Sequence, residues 1–254
     1  MTTTETRTPV LELRHINLHY GSVEALHDVS FSAYGGEVIG LVGDNGAGKS
    51  SLIKTVSGVN SADSGEIFVD GQLRHWRSPH DSMVAGIETL YQDSGLAPDL
   101  SIGANIFLGR ERRRGGLLGR LGFLDQRAME REALEQLERV GITIPQTQRT
   151  VSELSGGQRQ AVAIGRAIAW AKHVIILDEP TNHLGARQSA EVLKVITSAR
   201  AHGLCVLFIS HTLPHVLEVT DRIIVLRLGR VVRDAPTSQF TVESLLAAIT
   251  GLSE

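Results

Sequence analysis

The segment that most limits how this chain can fold lies between residues 37 and 56. An apolar run, Glu37-Val-Ile-Gly-Leu-Val42, enters Gly43-Asp-Asn-Gly-Ala-Gly-Lys-Ser50, and a helix-compatible stretch follows. The glycines let the backbone curl tightly enough for several N–H groups to point at one centre, and the helix that begins there adds its positive end. A simple glycine turn between strand and helix would explain the glycines but not the adjacent Lys49-Ser50. In this context the spacing G-x-x-x-x-G-K-S reads as a phosphate loop. Gly43, Asp44, Asn45, Gly46, Ala47, Gly48, Lys49, Ser50 and Ser51 are therefore candidate nucleotide contacts. Lys49 is the candidate point charge for the β- and γ-phosphates, and the Ser50 hydroxyl a candidate Mg2+ ligand.

The rest of the chain agrees with an α/β fold. Strands are expected over Val10–Leu13, Leu26–Ala33, Glu37–Val42 and Gly65–Gly71, then a helix from Ser78 and a strand over Ile87–Tyr91. After residue 93 the character changes. An amphipathic helix is expected over Gln126–Val140, with Asp125 as N-cap, Gly141 as stop and Met129, Ala133, Leu134, Leu137 and Val140 on one side. Residues 94 to about 157 read as a helical insertion. Strands and helices then alternate: helix 156–171, strand 173–178, helix 186–202, strand 204–210, helix 213–220, strand 222–228. That alternation implies a parallel sheet whose ligands bind beyond the carboxyl ends of its strands.

With 254 residues the chain can bury one substantial core and has no room for two full ATPase domains. Its net charge is -3, with 25 basic against 28 acidic side chains, which argues against a general attraction to nucleic acid. No run reaches the length of a membrane span, and Met1-Thr-Thr-Thr-Glu5 lacks the regions of a signal peptide, so a cytosolic location is expected. Cys205, in an apolar stretch, reads as a small buried hydrophobe. Glu111-Arg-Arg-Arg-Gly-Gly116 reads as an exposed loop, because a short charge run is usually a solvated surface.

Val174-Ile-Ile-Leu177 is apolar throughout, as a central parallel strand covered on both faces should be, and it ends in Asp178-Glu179. An Asp there can simply cap the next helix. Beside a phosphate loop, Asp178 can instead hold Mg2+ through a water, and Glu179 can orient or deprotonate the water that attacks the γ-phosphorus.

Leu154-Ser-Gly-Gly-Gln158 opens the next helix. Ser155 suits an N-cap, but two glycines in a first turn are a poor choice for helix stability. With this motif the chain resembles the ATP-binding cassette (ABC) family. The resemblance implies a phosphate-loop ATPase fold over residues 1–254: a mostly parallel core sheet, an N-terminal antiparallel β lobe and the helical subdomain inserted at about 94–157. It implies that Ser155, Gly156, Gly157 and Gln158 face the ATP of a second copy of the chain in a head-to-tail dimer. It further assigns Tyr20 to stacking on adenine, Gln92 in Tyr91-Gln-Asp93 to Mg2+ and the membrane subunits, and His211 to the γ-phosphate. The catalytic set is then Glu179, His211 and Lys49, and the metal set Ser50, Gln92 and Asp178, with ATP and Mg2+ as cofactors. One motif departs from the pattern: Thr181-Asn-His-Leu-Gly185 has Gly where most members have an Asp that couples the two half-sites.

Gly43-Asp-Asn-Gly46, Leu96–Glu111, Leu184–Gln188 and Val225–Arg230 are similar to bacterial monosaccharide importers of the ribose, xylose and fructose type. That similarity implies a single-domain ATPase working as a homodimer on the cytoplasmic face of the membrane, beneath a permease fed by a solute-binding protein. A transporter for an amino acid or lipid, and a non-transport regulatory ABC ATPase, are the alternatives.

Overall fold

The computed structural model describes residues 7–92, 94–142 and 149–252. Met1–Glu5, on which the expected absence of a signal peptide rests, Asp93 of the Tyr91-Gln92-Asp93 motif and residues 143–148 of the expected insertion lie outside the described residues.

In chain order the first elements are β1 (Leu11–Tyr20), β2 (Val23–Ala33), β3 (Val38–Val42), α1 (Lys49–Val56), β4 (Ser64–Val69), β5 (Gln72–Arg74), α2 (Pro79–Val84) and β6 (Ile87–Leu90). A helical stretch follows: α3 (Ile102–Ile106), α4 (Gly116–Arg120), α5 (Gln126–Arg139) and α6 (Gly156–Trp170). Alternation then resumes with β7 (Val174–Asp178), α7 (Ala186–Ala201), β8 (Cys205–Ile209), α8 (Leu213–Val219) and β9 (Arg222–Arg227), before β10 (Arg230–Pro236) and α9 (Val242–Thr250).

Two sheets result. One is antiparallel, in the order β2-β1-β4-β5; the other runs β10-β9-β3-β8-β7-β6. In the second sheet the pairs β9-β3, β3-β8, β8-β7 and β7-β6 are parallel, and only β10 runs the other way. The expected combination of an antiparallel N-terminal lobe and a mostly parallel core is what the chain forms.

The core strands divide their side chains between two apolar layers, as the two-residue period of a strand requires. Ile175 and Leu177 of β7, with Val206 and Phe208 of β8, face a cluster built with α5, α6 and α7. Val174, Ile176, Cys205 and Leu207 face the opposite cluster, which includes α1 and the antiparallel sheet. All eight are buried, each contributing about 1.5–3 kcal/mol if a large aliphatic or aromatic side chain.

The first strand is longer than expected. Alternation after Leu13 fails because the pairing of β1 with β2 shifts register between Leu13 and Ile16. His15 sits there in the left-handed region at φ 54°, its N–H donating to Ser30 Oγ at 2.8 Å. The buried positions therefore run Leu11, Leu13, Ile16, Leu18, one step out of phase. Gln126–Arg139 starts as expected: the Asp125 carboxylate accepts from Ala128 N at 3.1 Å. Residues 111–116 are exposed, also as expected. Among the described residues no helix is long and apolar enough to cross a membrane.

Candidate functional site

The loop that follows β3 closes because glycine stands where its backbone needs it. At Gly48, φ is 104°, and a Cβ would lie 2.7 Å from the Ala25 carbonyl oxygen. At Gly43 a Cβ would come within 2.3 Å of the Leu226 carbonyl oxygen, so any larger residue would have to move β9. Gly48 is also the N-cap of α1 and supplies no side-chain bond, which leaves the first-turn N–H groups of α1 directed into the loop. Lys49 folds back across the loop and donates to the carbonyls of Gly43 at 2.6 Å and Asp44 at 3.0 Å. Burial pushes its ammonium down, while the charges of Glu179, Asp44 and Asp178 pull it back up. The ammonium and the uncapped first-turn N–H groups of α1 attract an anion, whereas the charges of Asp44, Asp178 and Glu179 oppose one unless a cation offsets them.

Opposite the loop, β7 delivers Asp178 and Glu179. Burial pushes the Asp178 carboxyl up and the Glu179 charge adds to that, with Lys49 and Lys54 opposing. Glu179 is held in the left-handed region, at φ 52°, its N–H donating to the Ile209 carbonyl at 3.0 Å. Positive φ in a non-glycine residue costs free energy, and such strain concentrates at functional sites. It aims the Glu179 side chain at the end of β8, where Oε2 lies 2.8 Å from His211 Nδ1. The Glu179 side chain is 16% exposed and His211 67%, so the histidine stands at the mouth of the site.

One cleft of about 750 Å3 gathers Tyr20, the loop from Gly43 to Ser51, Gln92, Asp178, Glu179 and His211. The Tyr20 hydroxyl accepts from Asn60 Nδ2 at 2.5 Å, and its ring is half exposed at the rim. Ser50, Gln92 and Asp178 bring hydroxyl, amide and carboxylate oxygens to this cleft, a hard donor set with a single carboxylate that fits Mg2+ completed by phosphate and water oxygens.

Ser155, Gly156, Gly157 and Gln158 are not in this cleft. They form the start of α6, where Ser155 Oγ accepts from Gln158 N at 3.3 Å and Gln158 Oε1 accepts from Ser155 N at 3.0 Å. The Gln158 side chain is thus engaged in its own helix cap. Gly157 is explained within the chain: a Cβ there would lie 2.8 Å from Gln188 Cγ on α7. Gly156 has no such neighbour, the nearest atom to a Cβ being Leu184 Cδ2 at 4.0 Å, and with Ser155 it is exposed.

Several site residues carry no sequence signal of their own. Val23, Leu246 and Ile249 complete the apolar wall of the cleft; the last two come from α9, a helix beyond the expected strands. Arg166, on α6, donates to the carbonyls of Ser94 at 2.8 Å and Gly95 at 2.9 Å, tying the segment after Gln92 to the helix that begins at Gly156.

The profile of a family described as ABC transporter matches residues 26–182. The fructose import ATP-binding protein FrcA of Rhizobium meliloti is 45% identical over 97% of this chain and 95% of its own length. The xylose/arabinose import ATP-binding protein XylG of Sulfolobus acidocaldarius is 39% identical over 96% and 95%. Among solved structures, the dimeric structure of MJ0796, a bacterial ABC transporter cassette, superposes with a TM-score of 0.72 at 21% identity, covering 89% of this chain and 98% of that one.

Proposed function

The chain belongs to the ABC transporter family, and from that premise we propose that it is the ATP-binding, ATP-hydrolysing subunit that powers import of a sugar, a monosaccharide, through a membrane permease. The sugar is not read from the cleft; that part of the reading rests on the relatives named for fructose and for xylose/arabinose import. The whole chain acts as one ATPase domain, with residues 94 to about 157 as its helical subdomain. It sits on the cytoplasmic face of the membrane, bound to permease subunits that a solute-binding protein supplies.

The observation that carries the hydrolytic reading is the strained Glu179, held across the cleft from the phosphate loop and 2.8 Å from His211. In this reading the backbone N–H groups from Gly43 to Ser51 hold the phosphates, Lys49 leaves its two carbonyl partners for phosphate oxygens, and Tyr20 stacks on the adenine. Ser50, Gln92 and Asp178 hold Mg2+, which when bound offsets the negative charge of the phosphates. Glu179 orients the attacking water and takes its proton, and His211 contacts the γ-phosphate at the mouth of the cleft.

The remoteness of Ser155 and Gly156 from the cleft supports a dimer: an exposed glycine-led helix start has no phosphate to meet within its own chain. Two chains packed head to tail would bring each helix start to the partner's cleft; the similar cassette MJ0796 is itself described as dimeric. Closure around two ATP molecules drives the permease, and hydrolysis permits the return.

Glu179→Gln keeps the size and hydrogen-bonding capacity of the side chain but removes the base. Turnover measured by phosphate release is expected to fall about 10²–10⁴-fold while ATP binding persists. Unchanged turnover would remove Glu179 from the mechanism.

A further inference from the structure

We propose that the hairpin between Arg112 and Asp125 is a membrane-contact element that engages an anionic lipid surface. Its residues are of two kinds: Arg113, Arg114 and Arg120 carry positive charge, while Arg112 is paired with Glu132 at 2.6 Å, and Leu117, Leu118, Leu121 and Phe123 are apolar. In a water-soluble loop the apolar group should turn inward. Here it does not: Leu117 is 73% exposed, Leu121 67% and Phe123 54%.

The backbone fixes that exposure. Asp125 N donates to the Arg112 carbonyl at 2.8 Å and Arg114 N to the Phe123 carbonyl at 2.9 Å, closing the base of the hairpin. Inside it, Leu121 N bonds to the Leu117 carbonyl and Phe123 N to the Leu118 carbonyl, both at 3.1 Å. A Cβ at Gly119 would lie 1.7 Å from the Arg114 carbonyl oxygen, so the two sides of the hairpin meet at a point only glycine can occupy. Leu117 and Leu121, four residues apart, are thereby presented together.

The exposure and the charge select the partner. Leu117, Leu118, Leu121 and Phe123 are exposed within a few residues of one another, and cations flank them. Between Arg112 and Arg120 there is no acidic side chain, although the whole chain carries a net charge of -3. Leucine and phenylalanine flanked by arginine is the composition that seats an interfacial segment at the boundary between headgroups and acyl chains of an anionic leaflet. The element is short, so it would act as a second, weak attachment alongside the permease. The inference rests on the transporter reading only in that this reading brings a bilayer within reach; vesicle binding by the isolated protein is decided independently of hydrolysis.

The test uses the full-length protein with vesicles of phosphatidylcholine alone and of phosphatidylcholine mixed with phosphatidylglycerol, read by co-sedimentation at low and raised salt. The expected result is binding to the anionic vesicles only, weakened by salt. Arg113→Gln with Arg114→Gln should lower the apparent partition coefficient roughly thirtyfold, at about 1 kcal/mol per cation removed near the surface. Leu117→Ser with Leu121→Ser should also lower it, while both double variants keep the wild-type rate of phosphate release. The proposal is overturned if the wild-type protein ignores anionic vesicles, if both vesicle types bind it equally, or if neither double variant changes binding. It is equally overturned if the variants keep full vesicle binding but fail to co-purify with the permease, which would make the hairpin a protein contact.

Discussion

Glu88 is a residue at which burial and pairing oppose each other. It stands in β6, almost wholly buried, with Oε1 accepting from Arg110 Nη2 at 2.5 Å, and Arg110 in turn lies over the Trp170 ring at 4.8 Å. Burial pushes the carboxyl up from its ordinary value of 4.5, and the attraction of Arg110 and Arg166 does not cancel it. The folded chain therefore holds this proton more tightly than the unfolded chain does. Stability linked to Glu88 is greatest below its unfolded pKa and is lost as pH rises through the higher folded value. Glu88→Gln removes that linkage. Thermal melts of the two proteins should show wild type gaining on the variant as pH falls toward 4.5, and a difference that is flat or reversed over that range would contradict the assignment. Cys205, by contrast, offers no chemistry: it is fully buried, and burial pushes its thiol up.

At the scale of elements, Gly185 stands where an Asp was expected from the general ABC resemblance, and it costs the fold little. It is the N-cap of α7, in extended backbone, with no side-chain bond to offer; Gln188 Oε1 accepts from its N–H at 3.3 Å. A Cβ there meets nothing within 4 Å. Gly185→Asp is therefore expected to fold normally and to gain a few tenths of a kcal/mol from a proper cap and from the positive end of α7. Urea melts that showed a loss of stability instead would mean that the site is more crowded than its geometry indicates.

The same local logic explains what could be read from sequence. The phosphate loop, the Asp178-Glu179 pair and the start of α6 were legible because each packs its chemistry into consecutive residues, and the buried runs of β3, β7 and β8 were legible because both their faces are covered. The second half of β1 was hidden by the irregularity at His15, whose hydrogen bond goes to Ser30 on another strand. β10 was hidden because it is an edge strand with little of it buried, so charge interrupts its alternation. α9 reaches the cleft only through Leu246 and Ile249, a tertiary relation that no local pattern encodes. Nor could sequence tell that Gly157 is required by Gln188 of its own chain while Gly156 is not required by anything within it.

That contrast between neighbouring glycines allows a test of the whole molecule. If the sites are shared, the phosphate loop of one chain works with the α6 start of the other, and two different defects can be separated between chains. Lys49→Ala disables the loop. Gly156→Asp has room for its side chain and places a carboxylate at the first turn of α6, where it favours the helix but repels a phosphate brought to that face. Each variant alone should lose about 10²–10³-fold in phosphate release, because every dimer it forms is defective at both sites. In a mixed dimer the two defects fall together in one site, and the other combines an intact loop with an intact helix start. Mixing the two inactive proteins should therefore restore turnover that neither has. If each chain hydrolysed ATP unaided, Gly156→Asp would be active by itself and mixing would restore nothing. Recovery on mixing thus distinguishes a site built from two chains from a cleft that is complete in one.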